Sequence, residues 1–205
     1  KLKLDIVFID DDSNDGTQIE IQKLKKKFKH INYIFRRNKS GIGSAHKDGI
    51  KYAYKRNYNL IITMDCDGTH NPIYLKSLIQ KSQNYDYVIT SRFKKRGLIK
   101  DWPISRKLIT YLRHIFVKIF LGINYDASGA YRCFLTKKIK LKHILSAKNN
   151  DYAFFWEVTY LLKKEGYKIY EIPVKLVFRK LGKSKMRFRH IVSSLYYLFK
   201  LSLLR

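Results

Sequence analysis

Short apolar runs alternate with longer amphipathic segments through the first half of the chain. The apolar runs have the length and β-branched content of buried strands, and they lie at residues 5–10, 31–35, 59–64 and 85–90. The amphipathic segments have helical spacing, and they lie at residues 17–30, 41–54 and 74–82. This alternation of strands and helices predicts an α/β domain built on a mostly parallel sheet flanked by helices.

The second half of the chain carries amphipathic segments of a different kind. Residues 104–123 and 190–205 predict helices whose apolar faces are interrupted or flanked by basic side chains, and 156–164 and 167–178 predict a further helix and strand. Apolar helices with basic flanks suit a membrane interface, and the same pattern fits helices packed in a core. Both alternatives stay open for 104–123, and the interfacial one is favoured for 190–205. The predicted domains are therefore residues 1–189 and a C-terminal amphipathic helix at 190–205.

The charge of the chain narrows the class of its partners. The 205 residues carry a formal net charge of +27, with 45% hydrophobic and 15% aromatic residues. A folded protein with a field of this sign attracts anions such as nucleic acid, anionic lipid or a phosphorylated substrate. Solvated surface lysines account for part of this excess of positive charge. The net charge alone therefore does not show which of these anions is the partner.

Cysteine content and hydropathy indicate the cellular compartment in which the protein is expected. Cys66 and Cys133 are the two cysteines, and a domain of this size folds without a disulfide, so reduced cytosolic thiols are expected. No apolar stretch reaches the roughly 18–20 residues of a membrane-spanning helix, and the first residues do not resemble a signal peptide. We expect a cytoplasmic protein that is soluble or bound to the membrane surface.

Two groups of carboxylates follow predicted strands. In parallel α/β sheets, ligands bind beyond the carboxyl ends of the strands. Asp65 and Asp67 follow one strand at positions i and i+2, so both are predicted to face one hard cation, Mg²⁺ or Mn²⁺, which bridges the phosphates of a nucleoside diphosphate. On the same alternation, Cys66 is predicted to face the core.

The second carboxylate group follows the first predicted strand. Asp10 and Asp11 are predicted to bind the nucleotide part of a donor, with Asp11 as the principal contact, while Ser13 and Asp15 are predicted to cap the next helix. Residues 38–43 contain two glycines but match neither a dinucleotide fingerprint nor a P-loop. These glycines are interpreted as a tight turn into a helix.

Five motifs in order along the chain resemble one enzyme family. They are FIDDDSNDGT, NKSGIGSAHKDGIKYA, MDCDGTHNP, SGAYRCF and FRKLGKSKM. Together they resemble the dolichyl-phosphate mannose synthases and related polyprenyl-phosphate glycosyltransferases, which are inverting enzymes of glycosyltransferase family 2 with a GT-A fold. The resemblance implies transfer of a hexose, most readily mannose from GDP-mannose, to a polyprenyl or dolichyl phosphate.

The resemblance also implies roles for individual residues. Asp10 and Asp11 resemble nucleotide-sugar-binding residues, and Asp65 and Asp67 resemble both the metal-binding pair and part of the donor site. The residues that resemble the catalytic group are Asp67, Arg92, Asp126 and Arg179. The residues that resemble the acceptor-phosphate site are Arg92, Arg106, Thr110, Arg179 and Lys183. Arginine suits this role because its planar fork binds phosphate oxygens in pairs.

Three departures from the family pattern carry expectations of their own. The family's first strand, with a nucleotide-contacting segment, is expected to be missing before Asp5. Thr69 stands where relatives often have Gln or Ser, which is expected to alter the shell of the cation. Transmembrane helices that follow the catalytic domain in some relatives are not expected here. Membrane contact is therefore assigned to the amphipathic segments or to an anchoring partner subunit.

Other functions remain as alternatives. UDP-glucose or another nucleotide-sugar is the alternative donor for the same class of lipid acceptor. An inactive, membrane-associated family member is a further alternative. A basic nucleic-acid-binding protein would explain the charge but not the two acidic groups, because carboxylates at a sheet edge repel phosphate unless a cation intervenes. We therefore expect no nucleic-acid partner.

Overall fold

A computed structural model describes residues 4–95, 97–99, 102–176 and 188–203. Six strands lie within these ranges: β1 Ile6–Asp10, β2 Ile31–Phe35, β3 Leu60–Thr63, β4 Tyr87–Ser91, β5 Arg132–Leu135 and β6 Ile169–Pro173. Seven α-helices lie there as well: α1 Thr17–Lys27, α2 Ile42–Lys55, α3 Leu75–Asn84, α4 Ile104–Leu121, α5 Leu141–Leu145, α6 Phe154–Lys164 and α7 Phe188–Leu203. A short 3₁₀ helix at Pro72–Tyr74 leads into α3.

The strands form two sheets. β1 and β2 pair in parallel, and a second sheet has the strand order β3-β5-β4-β6. In this second sheet β4 and β6 are parallel, whereas β5 runs antiparallel to both β3 and β4. The α/β class predicted from the sequence is confirmed, and the larger sheet is mixed because β5 enters it in the opposite direction.

The core is built on both faces of the larger sheet. Successive residues of β4 point to opposite faces, so Ile89 packs with α2 and α6 while Val88 packs with Leu78 of α3. A further apolar cluster joins α4, α6 and α7 through Val117, Trp156 and Leu198. These layers fix the sheet, and with it the loops at the carboxyl ends of its strands.

The helices α4 and α7 each have one buried and one exposed apolar face. Thr110, Val117 and Leu121 of α4 are buried. A stripe of exposed apolar residues runs along its other side, and we call it the α4 stripe: Ile104, Leu108, Tyr111, Leu112, Ile115 and Ile119. A second stripe, the α7 stripe, consists of Val192, Tyr196, Phe199 and Leu203. The spacing of both stripes is that of one helix face.

The two stripes belong to helices that pack against each other. The rings of Phe120 in α4 and Phe199 in α7 lie with their centroids 4.6 Å apart. The inner face of α7 is held by Leu198 and by Tyr197, whose hydroxyl donates to Glu157 in α6 over 2.7 Å. In the part of the chain that the structure describes, no helix is long and apolar enough to span a bilayer. The division of the chain at residues 189 and 190 stays a prediction.

Candidate active site

The loops that carry the predicted site residues of the larger sheet emerge at one edge. Arg132, the first residue of β5, lies opposite Thr63 at the end of β3 and opposite Ile89 near the end of β4. The loops that follow β3 and β4 and the loop that precedes β5 therefore leave the sheet together. These loops carry Asp65 with Asp67, Arg92, and Asp126 with Ser128.

A buried ion pair joins the two loops after β4 and before β5. The guanidinium of Arg92 donates from Nε to Oδ2 of Asp126 over 2.7 Å and from Nη2 to the other carboxylate oxygen. The backbone N–H of Arg92 donates to the same Oδ2 over 2.8 Å, and Nη2 also donates to the hydroxyl of Ser128. The sequence placed Arg92 and Asp126 in the catalytic group, and the structure brings them into direct contact.

The charge state of Asp126 follows from this pairing. Burial opposes ionisation, but the Arg92 guanidinium and its hydrogen bonds outweigh that effect and hold the pKa of Asp126 at about 2. The same contact raises the pKa of Arg92, against the effect of burial. Both groups are therefore charged at neutral pH, and Asp126 cannot supply a proton there.

Glu171 of β6 is the second carboxylate in this cluster. Its Oε1 accepts the backbone N–H of Asp126, and its Oε2 lies 3.6 Å from Nζ of Lys94. Burial raises the pKa of Glu171 above its usual value. Glu171 thus fixes the backbone of Asp126, while Lys94 balances its charge.

The acidic loop after β3 is closed by its own hydrogen bonds. Oδ1 of Asp67 accepts the N–H of Thr69 over 3.0 Å and the Thr69 hydroxyl over 2.6 Å. Gly68, between them, has a φ of 78°, which glycine adopts without strain. The predicted position of Cys66 is wrong: its side chain is exposed, because the chain turns after Thr63 and strand alternation does not continue.

His70 ties the acidic loop to the rest of the edge. Its Nδ1 accepts the backbone N–H of Asp65 over 2.8 Å, and its ring lies 5.1 Å from that of Tyr131. Burial lowers the pKa of His70 to about 4, with Asp67 acting to raise it and Arg92 to lower it. His70 is therefore neutral at pH 7, and its proximity to Asp65 Oδ2 is not an ion pair. Asp67 and Arg92 both act on this ring, in keeping with the shared edge of the sheet from which their two loops leave.

The donor set of the acidic loop fits a hard divalent cation. Among the described residues, no group of three or more His, Cys, Asp or Glu side chains is arranged to hold a metal. Asp65 and Asp67 supply carboxylate oxygens, which are the ligands that Mg²⁺ and Mn²⁺ prefer. Two carboxylates completed by water and substrate phosphates is the usual composition of a Mg²⁺ site in phosphate-handling enzymes. The residues present therefore fit a cation that is held partly by its substrate.

Asp10 and Asp11 lie at the end of β1, in the smaller sheet. Asp10 is buried and accepts the N–H of Ser13 and the amide of Gln18; against the effect of burial, these bonds lower its pKa. Asp11 is partly exposed and pairs with Arg36 over 2.9 Å, and it also accepts the N–H of Ser40. Asp11 is thus the more accessible of the two, as the sequence assignment to the nucleotide requires.

The predicted caps of α1 differ from the structure, because the residue at the N-cap is Gly16, which makes no side-chain cap bond. Asp15, one residue earlier, accepts the N–H and the hydroxyl of Thr17, in the same turn that Asp67 forms with Thr69. Ser13 does not cap α1, because its backbone N–H is turned back to Asp10. Gly41 precedes α2 with a φ of 93°, which confirms the predicted turn into a helix at this glycine, whereas Gly43 is already the second residue of α2.

The predicted acceptor-site residues on α4 lie near the Arg92 cluster. Arg106 is exposed and its guanidinium stacks 4.3 Å from the ring of Trp102, and Thr110 is buried.

Arg113 lies one turn beyond Thr110 on the same helix face. The pKa of Arg113 is lowered to about 10 by burial and by Arg92, while Asp126 acts to raise it. Arg179 and Lys183 lie outside the described residues.

Three further charged residues that face the predicted site residues were not assigned roles from the sequence. Arg36, Arg113 and Glu171 each lie far in sequence from the groups they face. The sequence contains a feature that could have indicated a role for Glu171, since an acidic residue inside the apolar strand YEIP is unusual. It contains one for Arg113 as well, because Arg113 repeats the helical spacing of Arg106 and Thr110. No feature of the sequence distinguishes Arg36 from the other basic residues.

The sequence profile of the family described as "Glycosyl transferase family 2" matches residues 1–140. A fold with a helix-flanked sheet, an acidic loop after β3 and a charged cluster at the same edge is consistent with that match. The chain belongs to glycosyltransferase family 2, and it is a glycosyltransferase by class.

Two characterised relatives cover most of the chain. An undecaprenyl-phosphate mannosyltransferase of Micrococcus luteus is 31% identical over 183 residues, which span 89% of this chain and 75% of the relative. A polyprenol monophosphomannose synthase of Mycolicibacterium smegmatis is 26% identical over 194 residues, spanning 93% of this chain and 73% of that protein.

Solved structures support the fold. Glucosyl-3-phosphoglycerate synthase of Mycobacterium tuberculosis superposes with a TM-score of 0.54 at 13% identity, covering 97% of this chain and 67% of that one. Its complex with Mn²⁺, UDP-glucose and phosphoglyceric acid superposes with a TM-score of 0.53, covering 95% of this chain and 68% of that one. At this identity the likeness establishes a GT-A-like fold and nothing finer.

Proposed function

We propose that this protein transfers a mannosyl group from GDP-mannose to a polyprenyl phosphate. The observation that carries the proposal is the match to two relatives, each named for mannose and a polyprenyl phosphate lipid, over about nine-tenths of the chain. The site supports it chemically. An acidic loop suited to a cation and a loop that carries Arg92 leave the same edge of the sheet, an arrangement that suits a diphosphate donor and a phosphate acceptor.

The state of the charged groups suits a phosphate nucleophile. A phosphate monoester is already ionised at neutral pH, so the acceptor needs alignment with C1 of the sugar rather than removal of a proton. Asp126 is ionised by its contact with Arg92 and is not available as an acid. Its role in the proposal is to hold the Arg92 guanidinium, through two oxygens, in one orientation beside the reacting groups.

Asp65 and Asp67 are the residues that would hold Mg²⁺ or Mn²⁺. A bound cation neutralises charge on the departing nucleoside diphosphate. The complex of the Mycobacterium tuberculosis synthase with UDP-glucose and phosphoglyceric acid contains Mn²⁺, which supports the same kind of cation in a related fold. Asp10 and Asp11 are proposed to bind the nucleoside, with Arg36 orienting Asp11.

A panel of donors tests the proposed function directly. The purified protein is incubated with Mn²⁺ or Mg²⁺, a short polyprenyl phosphate, and GDP-mannose, UDP-glucose or UDP-N-acetylglucosamine in turn. We expect a mannosyl lipid phosphate with GDP-mannose and no product when the divalent cation is chelated. A product only with UDP-glucose would replace the proposed donor, and no product with any donor would contradict the function.

We also propose that the α4 and α7 stripes bind the membrane surface. Both stripes are apolar and exposed, and they lie on helices that pack together. Lys118 and Lys200 are exposed on the same two helices, and the chain as a whole is strongly basic. Amphipathic helices of this composition bind anionic bilayers in the interface plane. The acceptor lipid would then be delivered at the edge of the site.

The membrane proposal predicts a position-dependent loss of binding. Ile119, in the α4 stripe, is 64% exposed, and Ile19, on α1, is a matched control at 58%. Ile119→Glu should reduce flotation with vesicles of phosphatidylcholine and phosphatidylglycerol by about tenfold, since it removes an apolar anchor worth about 1.5–3 kcal/mol. Ile19→Glu should float like the unaltered protein. Equal flotation of both variants, or none by the unaltered protein at low salt, would contradict the proposal.

A further inference from the structure

A small cavity separates α4 from the loop that carries Asp126. Its wall on the helix side is formed by Arg113, His114 and Val117, and the opposite wall by Tyr125, Asp126 and Ser128. Asp126 and Ser128 are the residues that hold the Arg92 guanidinium. The cavity is therefore directly beside the buried ion pair, on the side that faces α4.

Arg113 points into this cavity because of its place in the helix. Thr110 and Val117 are buried, and Arg113 lies three residues after the first and four before the second, so all three share one face. Its side chain is half-buried. Unlike the exposed Lys118 of α4, Arg113 is directed into the protein, where desolvation of a charge is costly without a partner.

Within the described part of the chain, the side chain of Arg113 makes no ion pair and no hydrogen bond. Both carboxylate oxygens of Asp126, the acidic group that lines the cavity, are already bound by Arg92. Glu171, which faces Asp126 from β6, is balanced by Lys94. An inward-facing guanidinium without a carboxylate partner is uncommon in a folded protein.

The charges that act on Arg113, counted together with its own, leave an excess of two positive units. Arg92 and Arg106 both act electrostatically on Arg113, and Asp126 is the carboxylate that opposes them. Three positive charges against one negative charge leave two. Arg113 keeps its charge at neutral pH, since burial and the two neighbouring arginines lower its pKa only to about 10. An excess of this size matches a phosphate monoester, which carries up to two negative charges near neutral pH.

We propose that Arg113 binds the phosphate group of the acceptor, and that the cavity beside Asp126 is its anion site. The inference rests on the proposed function, and it adds a residue outside the acceptor-binding motif of the resemblance. The guanidinium fork of Arg113 binds two phosphate oxygens, and the opposite wall contains Asp126 and Ser128, which hold the neighbouring Arg92. The α4 stripe lies on the outer side of the same helix. If the stripe binds the membrane, the acceptor lipid that carries this phosphate is close to the cavity.

Two substitutions at position 113 separate binding from folding. Arg113→Met keeps much of the length and apolar stem of the side chain but removes the charge, whereas Arg113→Lys keeps the charge. With GDP-mannose saturating, Arg113→Met should raise KM for farnesyl phosphate about ten- to a hundredfold, the loss of one charge-assisted bond pair. KM for GDP-mannose should stay unchanged, and Arg113→Lys should recover part of the loss. The exposed Arg56, at the end of α2, gives the control Arg56→Met.

Thermal unfolding without substrate distinguishes an anion site from a structural role. If Arg113 merely stabilised the fold, Arg113→Met would unfold at a lower temperature. Because burial and the repulsion of Arg92 and Arg106 outweigh the attraction of Asp126 for Arg113, we expect the variant to unfold at the same or a higher temperature. Farnesyl phosphate should then raise the unfolding temperature of the unaltered protein more than that of Arg113→Met. Farnesol, which lacks the phosphate, should raise neither.

The outcomes separate this inference from the proposed function. Transfer with an unchanged farnesyl phosphate KM in Arg113→Met would overturn the role of Arg113 and leave the function standing. No transfer with any donor, together with charge-dependent stabilisation by farnesyl phosphate, would overturn the function and support the anion site. Equal stabilisation of both proteins by farnesyl phosphate, or by inorganic phosphate used as a second probe, would overturn the anion site.

Discussion

Asp67→Ala is expected to abolish transfer while the protein stays folded. The change removes one of the two carboxylates proposed to hold the divalent cation, and with it the neutralisation of the departing diphosphate. Removing one preorganised charge-stabilising contact costs about a hundred- to a thousandfold in turnover, and loss of the cation should exceed that. Turnover of GDP-mannose and Mn²⁺ binding, followed by electron paramagnetic resonance, measure the two effects separately.

The alanine variant also removes the turn that Asp67 forms with Thr69. Asp67→Asn separates the two roles, because the amide oxygen still accepts the N–H and hydroxyl of Thr69 while the charge is lost. The matched control is Asp15→Asn, since Asp15 makes the same turn with Thr17. Asp15→Asn should retain transfer and Asp67→Asn should not. Full activity of Asp67→Asn would remove the cation from the proposed mechanism.

The second large effect is expected at the Arg92–Asp126 pair. Asp126→Leu should lower the free energy of unfolding by about 3–5 kcal/mol, because it leaves Arg92 buried without a counter-charge. It should also abolish transfer, since the guanidinium loses the carboxylate that orients it. The double variant Arg92→Met with Asp126→Leu should regain much of the stability and none of the activity. Urea unfolding and product assays give the two quantities.

The same pair predicts how stability depends on pH. The pKa of Asp126 is held at about 2 in the folded protein, against an ordinary value of about 3.9. Its contribution to stability is therefore complete above about pH 4 and is lost as the pH falls from there through about 2. The difference in unfolding free energy between the unaltered protein and the double variant should shrink across that range. A constant difference would mean that Asp126 is not the group that titrates.

The elements with strong local patterns were predicted well from the sequence. Apolar runs ending in carboxylates gave β1 and β3 to within one residue at each end, and helical spacing gave α2 and α4 to within about two residues. β5 was missed because its four residues lack a pattern of their own and it is placed by pairing with β3 and β4. A short strand inserted between two others has no local signal, so the mixed character of the sheet was not foreseen.

The candidate site shows the same difference between residues that a local motif identifies and contacts that depend on distant segments. Motif resemblance selected Arg92 and Asp126 separately, but not that they form one buried pair, because 34 positions separate them. Cys66 was misplaced because strand alternation was extended past the end of β3. Arg113 is one of the basic residues that interrupt the apolar face of residues 104–123, and the sequence does not show its direction, which depends on the buried neighbours Thr110 and Val117. Contacts between distant segments are set by packing, which spacing along the chain does not encode.

The two faces of α4 constrain how this helix can change in evolution. One side carries Arg113 and the buried Thr110, and the other carries the exposed α4 stripe. Each residue turns an α-helix by about 100°, so inserting or deleting a single residue near its middle would rotate everything beyond it onto the wrong side. Point substitutions should therefore accumulate in α4 among homologues far more readily than changes of length.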